Sequence, residues 1–309
     1  MSIRNDARRI ALIGFGEVGR IFGRGFVAAG FAVTAYDILF DDPAKAAEWR
    51  EMARQAGVVA CVDAAQAAAG ARVVISAVTA AAARSVAREA ARWLGPGQFF
   101  LDLNSVSPET KRANAADVDR SGAAYVEAAV MAPVSPLGLS VPILLGGARA
   151  DELAATLAPA GMRLEVATPV IGQASAIKMC RSIMIKGMEA LTVECLMTAR
   201  RYGVEDTIIA SLNQSFPGLA WERQAGYNIE RVVQHGRRRA AEMREVAATV
   251  GAAGLEPLMA SATAERQDWV ADLVERLPGI RSADETDWRT TLDRLGALLA
   301  PPRTSSAAD

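Results

Sequence analysis

Arg9-Ile10-Ala11-Leu12-Ile13-Gly14-Phe15-Gly16-Glu17-Val18-Gly19 joins a short apolar run to a G-x-G-x-x-G turn. An apolar run of that length reads as a buried strand, and the turn opens a helix expected to reach about Ala29. In such a turn the first glycine allows a tight reversal and the second removes a side chain where a pyrophosphate approaches. The third lets the helix lie close on the strand, so that the helix N-terminus faces the phosphate.

The residues that follow strengthen this weak motif. A second apolar run, Ala32 to Tyr36, ends in Asp37, eighteen residues after Gly19. A carboxylate there accepts hydrogen bonds from both adenosine ribose hydroxyls of NAD and repels the 2′-phosphate of NADP. Ile38-Leu39-Phe40-Asp41-Asp42 brings no Arg or Lys to welcome that phosphate. NAD is therefore the expected cofactor, with NADP disfavoured. Its candidate contacts are Gly14, Phe15, Gly16, Glu17, Val18, Gly19 and Asp37, with Val78 and Asn104 at the ends of later strands.

Further runs at Val73 to Val78 and Phe99 to Leu103 read as strands, and Asp42 to Ala56 and Ala80 to Leu94 as helices. Such alternation implies right-handed crossovers and a mostly parallel, doubly wound α/β sheet. Gly122 to Val126 and Pro142 to Leu145 carry the strand series on to about Val166. From Gly172 to Tyr202 the chain has no proline and is apolar at helical spacing, through Ile177, Ile183, Met184, Met188, Leu191 and Leu196. One helix over about 172–202 would be roughly 45 Å long. Turn signals at Pro217-Gly218, Gly251 to Gly254 and Pro278-Gly279 divide an all-helical remainder. The expected domains are a Rossmann domain at 1–168, a helical domain at 169–300 and a flexible tail at 301–309. Cys180 and Cys195, on the long helix, read as core fillers.

Composition narrows the chemistry. The 309 residues are 51% hydrophobic and 22% charged, with a net charge of −1, as in a soluble protein with no field for nucleic acid or an anionic membrane. No uncharged apolar stretch approaches the roughly 18 residues of a membrane span, and the N-terminus lacks a signal-peptide core. Three cysteines without C-x-x-C spacing fit a reducing, cytoplasmic setting rather than a disulfide framework. With a single histidine, His235, and no G-x-S-x-G, neither a His-rich zinc site nor a Ser-His-Asp triad is expected; no metal is.

Three further stretches carry a resemblance. Asp102-Leu103-Asn104-Ser105-Val106-Ser107-Pro108 is similar to the D-x-S-T-x-x-P loop of β-hydroxyacid dehydrogenases, relatives of the 6-phosphogluconate dehydrogenases. Ala132-Pro133-Val134-Ser135 resembles their A-P-V-S-G-G. Gly172-Gln173-Ala174-Ser175-Ala176-Ile177-Lys178 resembles the G-x-G-x-x-x-K that opens their interdomain helix. With the glycine turn, the motifs keep the family's order over residues 8 to about 200. His235 to Met243 looks like the C-terminal domain of a branch labelled 6-phosphogluconate dehydrogenase-like.

The resemblance implies a dehydrogenase in which Lys178 is general acid/base, taking the hydroxyl proton as hydride leaves the same carbon. A lysine does this when desolvation and a nearby cation bring its pKa towards neutrality. Asn104, Ser105 and Ser135 would bind a small substrate, expected to be a carboxylate, and Ser107 before Pro108 reads as a helix cap. Lys186 is a rival lysine without the glycine spacing. The resemblance also implies a homodimer through the helical domain.

Departures matter as much. Pro136 and Leu137 replace the glycines after Ser135, removing a backbone N–H. Ser182 stands where the family has asparagine, with Arg181 beside it as a substitute contact. Ile185 replaces the glutamate of phosphogluconate dehydrogenases, which argues against decarboxylation of 6-phosphogluconate. Arg231, His235 and Arg238 share a helix face and offer a basic cluster for a substrate anion, or a face solvated and paired with Glu230, Glu242 and Glu245. Two other readings stay open: an imine reductase, against which Lys178 and Asp37 count, and a non-catalytic NAD-binding regulator.

Overall fold

The computed structural model describes residues 6–277, 279–280 and 287–299. The chain forms two compact units that part between Cys180 and Arg181. The first is built from β1 (Asp6–Ile13), α1 (Glu17–Ala28), β2 (Ala32–Tyr36), α2 (Ala46–Gln55), β3 (Val59–Ala60), α3 (Ala64–Ala68), β4 (Ala71–Ser76), α4 (Ala80–Ala90), β5 (Phe99–Asp102) and α5 (Pro108–Asp119). It continues through β6 (Ala124–Val130), the short α6 (Val134–Leu137), β7 (Ile143–Gly146), α7 (Ala150–Leu157), β8 (Leu164–Thr168) and the start of α8 (Gln173–Tyr202). The second unit holds the rest of α8 with α9 (Glu205–Ser215), α10 (Trp221–Ala252), α11 (Leu258–Glu275) and α12 (Trp288–Gly296). The tail 301–309 lies outside the described residues.

The eight strands run in the order β3-β2-β1-β4-β5-β6-β7-β8. Every pairing is parallel except β6 with β7. Between β1 and β4 the direction of winding reverses, and a crevice outside the strands' carboxyl ends at such a switch point is where α/β sheets bind ligands. One ladder row crosses the sheet near this end: Tyr36, Ile13, Ser76, Asp102, Glu127 and Gly146 are successive partners. Partners in a row face the same way, so the row sets side chains from distant parts of the sequence side by side.

Two apolar layers cover the sheet. One packs Phe15, Phe22, Phe26 and Phe40 against Ile10, Leu12, Val73 and Leu101. The other packs Ala67, Ala87 and Ala90 against Ala11, Val74 and Phe100. Each fully buried phenylalanine contributes about 2 kcal/mol through the apolar area it removes from water. The alanine-rich helices of the second layer leave little side chain between helix and sheet. Ser107 caps α5, accepting the Thr110 N–H, with Pro108 in the first turn.

The long helix bears out the helical spacing and corrects one expectation. Its apolar residues divide between solvent and core: Ile177, Met184 and Leu191 are exposed, whereas Met179, Ala190, Val193, Leu196 and Ala199 are buried. Cys180 and Cys195, expected in the core, are both exposed; Cys61 is the buried one.

Candidate active site

The glycine turn is shaped by close approaches. Gly14 has φ +97°, and a Cβ there would lie 2.4 Å from the Ala77 carbonyl oxygen. A Cβ at Gly19 would lie 2.3 Å from the Gly14 oxygen. Gly16 differs: nothing lies within 4 Å of the place a side chain would take. It also caps α1 without a side chain, which leaves the first N–H groups of that helix available to an anion. A tight turn with open space over a bare helix N-terminus is what a dinucleotide pyrophosphate needs, so the residues present fit that group.

Asp37 closes the turn. Its Oδ2 accepts the Phe15 N–H at 2.6 Å and its Oδ1 the Leu39 N–H at 2.9 Å. Each oxygen keeps lone-pair capacity for a ribose hydroxyl. The Phe15 side chain points the other way, fully buried against Phe40. Glu17 is exposed, Val18 half-buried, and Val78 lies beside Gly14.

Asn104 is committed inside the protein. Its Oδ1 accepts the Val78 N–H at 2.8 Å, and its Nδ2 donates to Ser76 Oγ at 2.9 Å and Asp102 Oδ1 at 2.8 Å. Both amide hydrogens are thus in use, and the residue ties the loop after β5 to the loop after β4. Behind it Asp102, fully buried, also accepts from Tyr125 at 2.7 Å and Asn114 at 3.1 Å and pairs with Lys111 Nζ at 3.0 Å. Burial alone would raise the Asp102 pKa, but Lys111 and these hydrogen bonds prevail and hold it below the usual carboxylate range. Burial and the Asp102 charge push the Tyr125 hydroxyl well up, so it stays a donor.

The next loop residue, Ser105, is half-buried and meets the start of α8: Lys178 Nζ donates to Ser105 Oγ at 2.5 Å. What fixes that helix is Glu127. Its buried carboxylate accepts from the N–H groups of Gly172 (2.6 Å), Ala174 (3.1 Å) and Ser175 (3.3 Å) and from Ser175 Oγ (2.8 Å). A carboxylate at a helix N-terminus satisfies orphan donors and complements the dipole. Gly172 turns the chain with φ +98°, and Gly146 makes room: a Cβ there would lie 2.5 Å from Glu127 Oε1.

Ser135 is exposed, and its φ and ψ of −84° and 130° interrupt α6. Arg181 is exposed. Ser182 is buried and accepts from Lys186 Nζ at 3.3 Å. Lys186 itself pairs with Glu242 at 2.7 Å in the helical unit. Arg238 pairs with Glu242, and Arg237 with Asp268, Asp272 and Glu275. Glu127, Lys111, Tyr125 and Asn114 escaped the sequence reading.

A glycine turn on β1, a carboxylate ending β2 and a bare helix N-terminus at the sheet's switch point define a Rossmann-type dinucleotide-binding domain. Comparison with known proteins agrees. Residues 9–136 match the NAD binding domain of 6-phosphogluconate dehydrogenase, and residues 199–270 a domain of unknown function, DUF1932. A conserved hypothetical protein from Sinorhizobium meliloti 1021 is 39% identical, with 96% of this chain and 98% of that one aligned and a TM-score of 0.75. A conserved protein of unknown function, structurally similar to 3-hydroxyacid dehydrogenases, is 31% identical over 85% of this chain and 97% of its own, with a TM-score of 0.68. The mitochondrial 3-hydroxyisobutyrate dehydrogenase of Mus musculus is 24% identical over 233 residues, 74% of this chain and 67% of that protein. The chain belongs to the 3-hydroxyacid dehydrogenase-like family, with a 6-phosphogluconate dehydrogenase-type NAD-binding domain and a DUF1932 C-terminal domain.

Proposed function

We propose that this protein is an NAD-dependent dehydrogenase that oxidises a hydroxy acid or related polar alcohol, or reduces the keto form. The observation that carries this reading is the contact of Lys178 Nζ with Ser105 Oγ, 2.5 Å apart. It sets together a hydroxyl on the loop that follows β5 and an amine on the helix whose start is held by Glu127 of β6. The dinucleotide, when bound, supplies the hydride acceptor. Gly14, Gly16 and Gly19 shape the turn under its pyrophosphate, and the Asp37 carboxylate receives the ribose hydroxyls and opposes a 2′-phosphate. Neutral Lys178 takes the substrate hydroxyl proton at Nζ, and in the reverse direction returns it. Ser105 aims the amine and is itself a hydrogen-bond partner for the substrate oxygen. Ser135, in the same unit, is the group proposed to grip a substrate carboxylate, while Asn104 holds the loop that presents Ser105.

We further propose that the protein acts in the cytosol as a homodimer through its helical unit. Leu191, Tyr202 and Val204 are exposed around a shallow apolar groove there, and no helix among the described residues is long and apolar enough to cross a membrane. Light scattering on the purified chain tests the dimer.

The functional test pairs a screen of hydroxy acids with NAD and Lys178→Ala. Turnover is expected to fall about 10²–10⁴-fold with NAD binding unchanged. Turnover that survives the substitution would overturn the role of Lys178, and imine reduction with NADPH would then be the activity to assay.

A further inference from the structure

The helical unit holds a cluster of charge in which cations outnumber their counter-charges. Lys186 and Glu189 come from α8, and Arg231, His235, Arg238, Arg239 and Glu242 from α10. Helix α11 closes over them with Gln267. Gly236 permits that approach, since a Cβ there would lie 2.8 Å from the Gln267 carbonyl oxygen. Lys186 pairs with Glu242 at 2.7 Å, Arg238 with Glu242 at 2.9 Å, and Arg239 with Glu189 at 2.7 Å. Lys186, Arg238 and Arg239 thus take up the two carboxylates, and among the described residues Arg231 has an ion pair with neither. The Arg239–Glu189 pair is buried, whereas Arg238 is exposed and Arg231 half-buried beside it.

Arg231 stands out. Its Nε is buried without a hydrogen-bond partner, and among the described residues no ion pair to it is found. Arg239 Nε is buried and unpartnered as well. Buried donors on charged groups are almost always satisfied, because leaving one bare costs its full desolvation, more than a typical hydrogen bond contributes. Two bare guanidinium N–H groups that feel each other's charge, with surplus positive charge around them, call for an anion.

We propose that Arg231, Arg239 and His235 form an oxyanion-binding site in the helical unit, taking the carboxylate or phosphate group of a small molecule. The site stands on α8, α10 and α11 alone and does not depend on the chemistry proposed for Lys178. Half-buried Arg231 and His235 give the anion its way in. His235 has its pKa pushed down to about 4 by burial and then by Arg231, Arg238 and Arg239, with Glu242 opposing. At neutral pH it is therefore an uncharged imidazole with an N–H to donate. Glu189 Oε1 and Gln267 Oε1 are buried acceptors without partners. They suit a ligand with a hydroxyl beside its acid group, which would satisfy donors and acceptors together.

His235 is also the reporter, being the only histidine of the chain. Full-length protein labelled at histidine Cε1 is titrated by NMR at pH 7 with sodium phosphate, with sodium glycolate, and with sodium chloride at matched ionic strength. Phosphate or glycolate is expected to move the single signal saturably, and chloride not; which of the two binds tighter identifies the acid group. Arg231→Gln is expected to weaken that binding at least tenfold while NAD binding, measured separately, stays as in wild type. Arg231→Lys, which keeps the charge without the Nε–H, is expected to fall between them and serves if Arg231→Gln does not fold. A signal that moves alike in all three salts, or alike in wild type and variant, overturns the site. So does an Arg231→Gln protein that only dissociates a dimer, since a second copy would then supply the missing carboxylate. Loss of NAD binding in wild type would instead strike the dehydrogenase reading and leave this site standing.

Discussion

The Glu127 carboxylate accepts the Gly172 N–H at 2.6 Å, across 45 residues of sequence, and so ties β6 to the helix start that carries Lys178. Among the described residues no ion pair to Glu127 is found, and the helix N-terminus itself is the counter-charge. The placement of Lys178 against Ser105 depends on this anchor.

Replacing Glu127 by Ala leaves the Gly172, Ala174 and Ser175 amides without their acceptor. Loss of hydrogen bonds to a charged group costs about 3 kcal/mol locally, or roughly two orders of magnitude in opening. Hydrogen exchange followed by mass spectrometry should show residues 172–178 exchanging about 100-fold faster, with strands β1 and β4 unaffected. Unchanged protection there would mean that the cap does not hold the helix.

Lys111→Met should be among the most damaging substitutions in the chain. It strands the buried Asp102 carboxylate, at a cost of about 3–5 kcal/mol. The pH dependence changes sign with it. In wild type Asp102 titrates below its ordinary 3.8, so its contribution is full above that value and lost as pH falls through the folded pKa. Without Lys111, burial raises the pKa, so the penalty grows as pH rises. Urea unfolding at pH 5 and pH 8 should show the variant weaker at pH 8.

Asp37→Asn separates charge from geometry. The amide oxygen can still accept one of the two loop N–H groups, but the repulsion of a 2′-phosphate is gone. Titration calorimetry should find NAD affinity lowered and the NADP to NAD preference shifted at least tenfold towards NADP, in line with about 1.4 kcal/mol for one charged contact. A wild type that binds NADP as well as NAD would remove Asp37 as the discriminator.

His235 predicts an acid-sensitive window. Its folded pKa, about 4, lies below the ordinary 6.5. Between those values the unfolded chain binds a proton that the folded one refuses, so stability falls as pH drops from 6.5 towards 4 and then levels off. Arg231, Arg238, Arg239 and Glu242 face the imidazole, and Glu189, whose own pKa burial raises, lies in the same cluster. Comparing His235→Gln with wild type across that window isolates the histidine: the variant's profile should be flatter.

Part of this site is written locally and could be read from the chain. Gly14, Gly16, Gly19 and Asp37 act through turn geometry and strand ends within 24 residues, and Gly172 to Lys178 through a single helix turn and its continuation. The rest depends on ladder register. Nothing near Asp102 in sequence says that Tyr125 and Lys111 enclose it, and nothing near Glu127 points to Gly172. Both carboxylates sit in otherwise apolar strands, and a charged residue inside a buried strand is the sequence signal that could have raised them. Asn104 was legible as a strand-end polar residue, but its direction, inward to Ser76 and Val78, was not.

The glycine at 146 has no room for even a methyl group, because the Glu127 carboxylate occupies that space. A mutation at either position is therefore felt at the other. Gly146→Ala should behave as a concealed lesion of Glu127, and Glu127→Asp, by shortening the arm, should partly suppress it. The space at 146 and the length of the side chain at 127 form one steric unit, so a larger residue at the first fits only with a shorter one at the second.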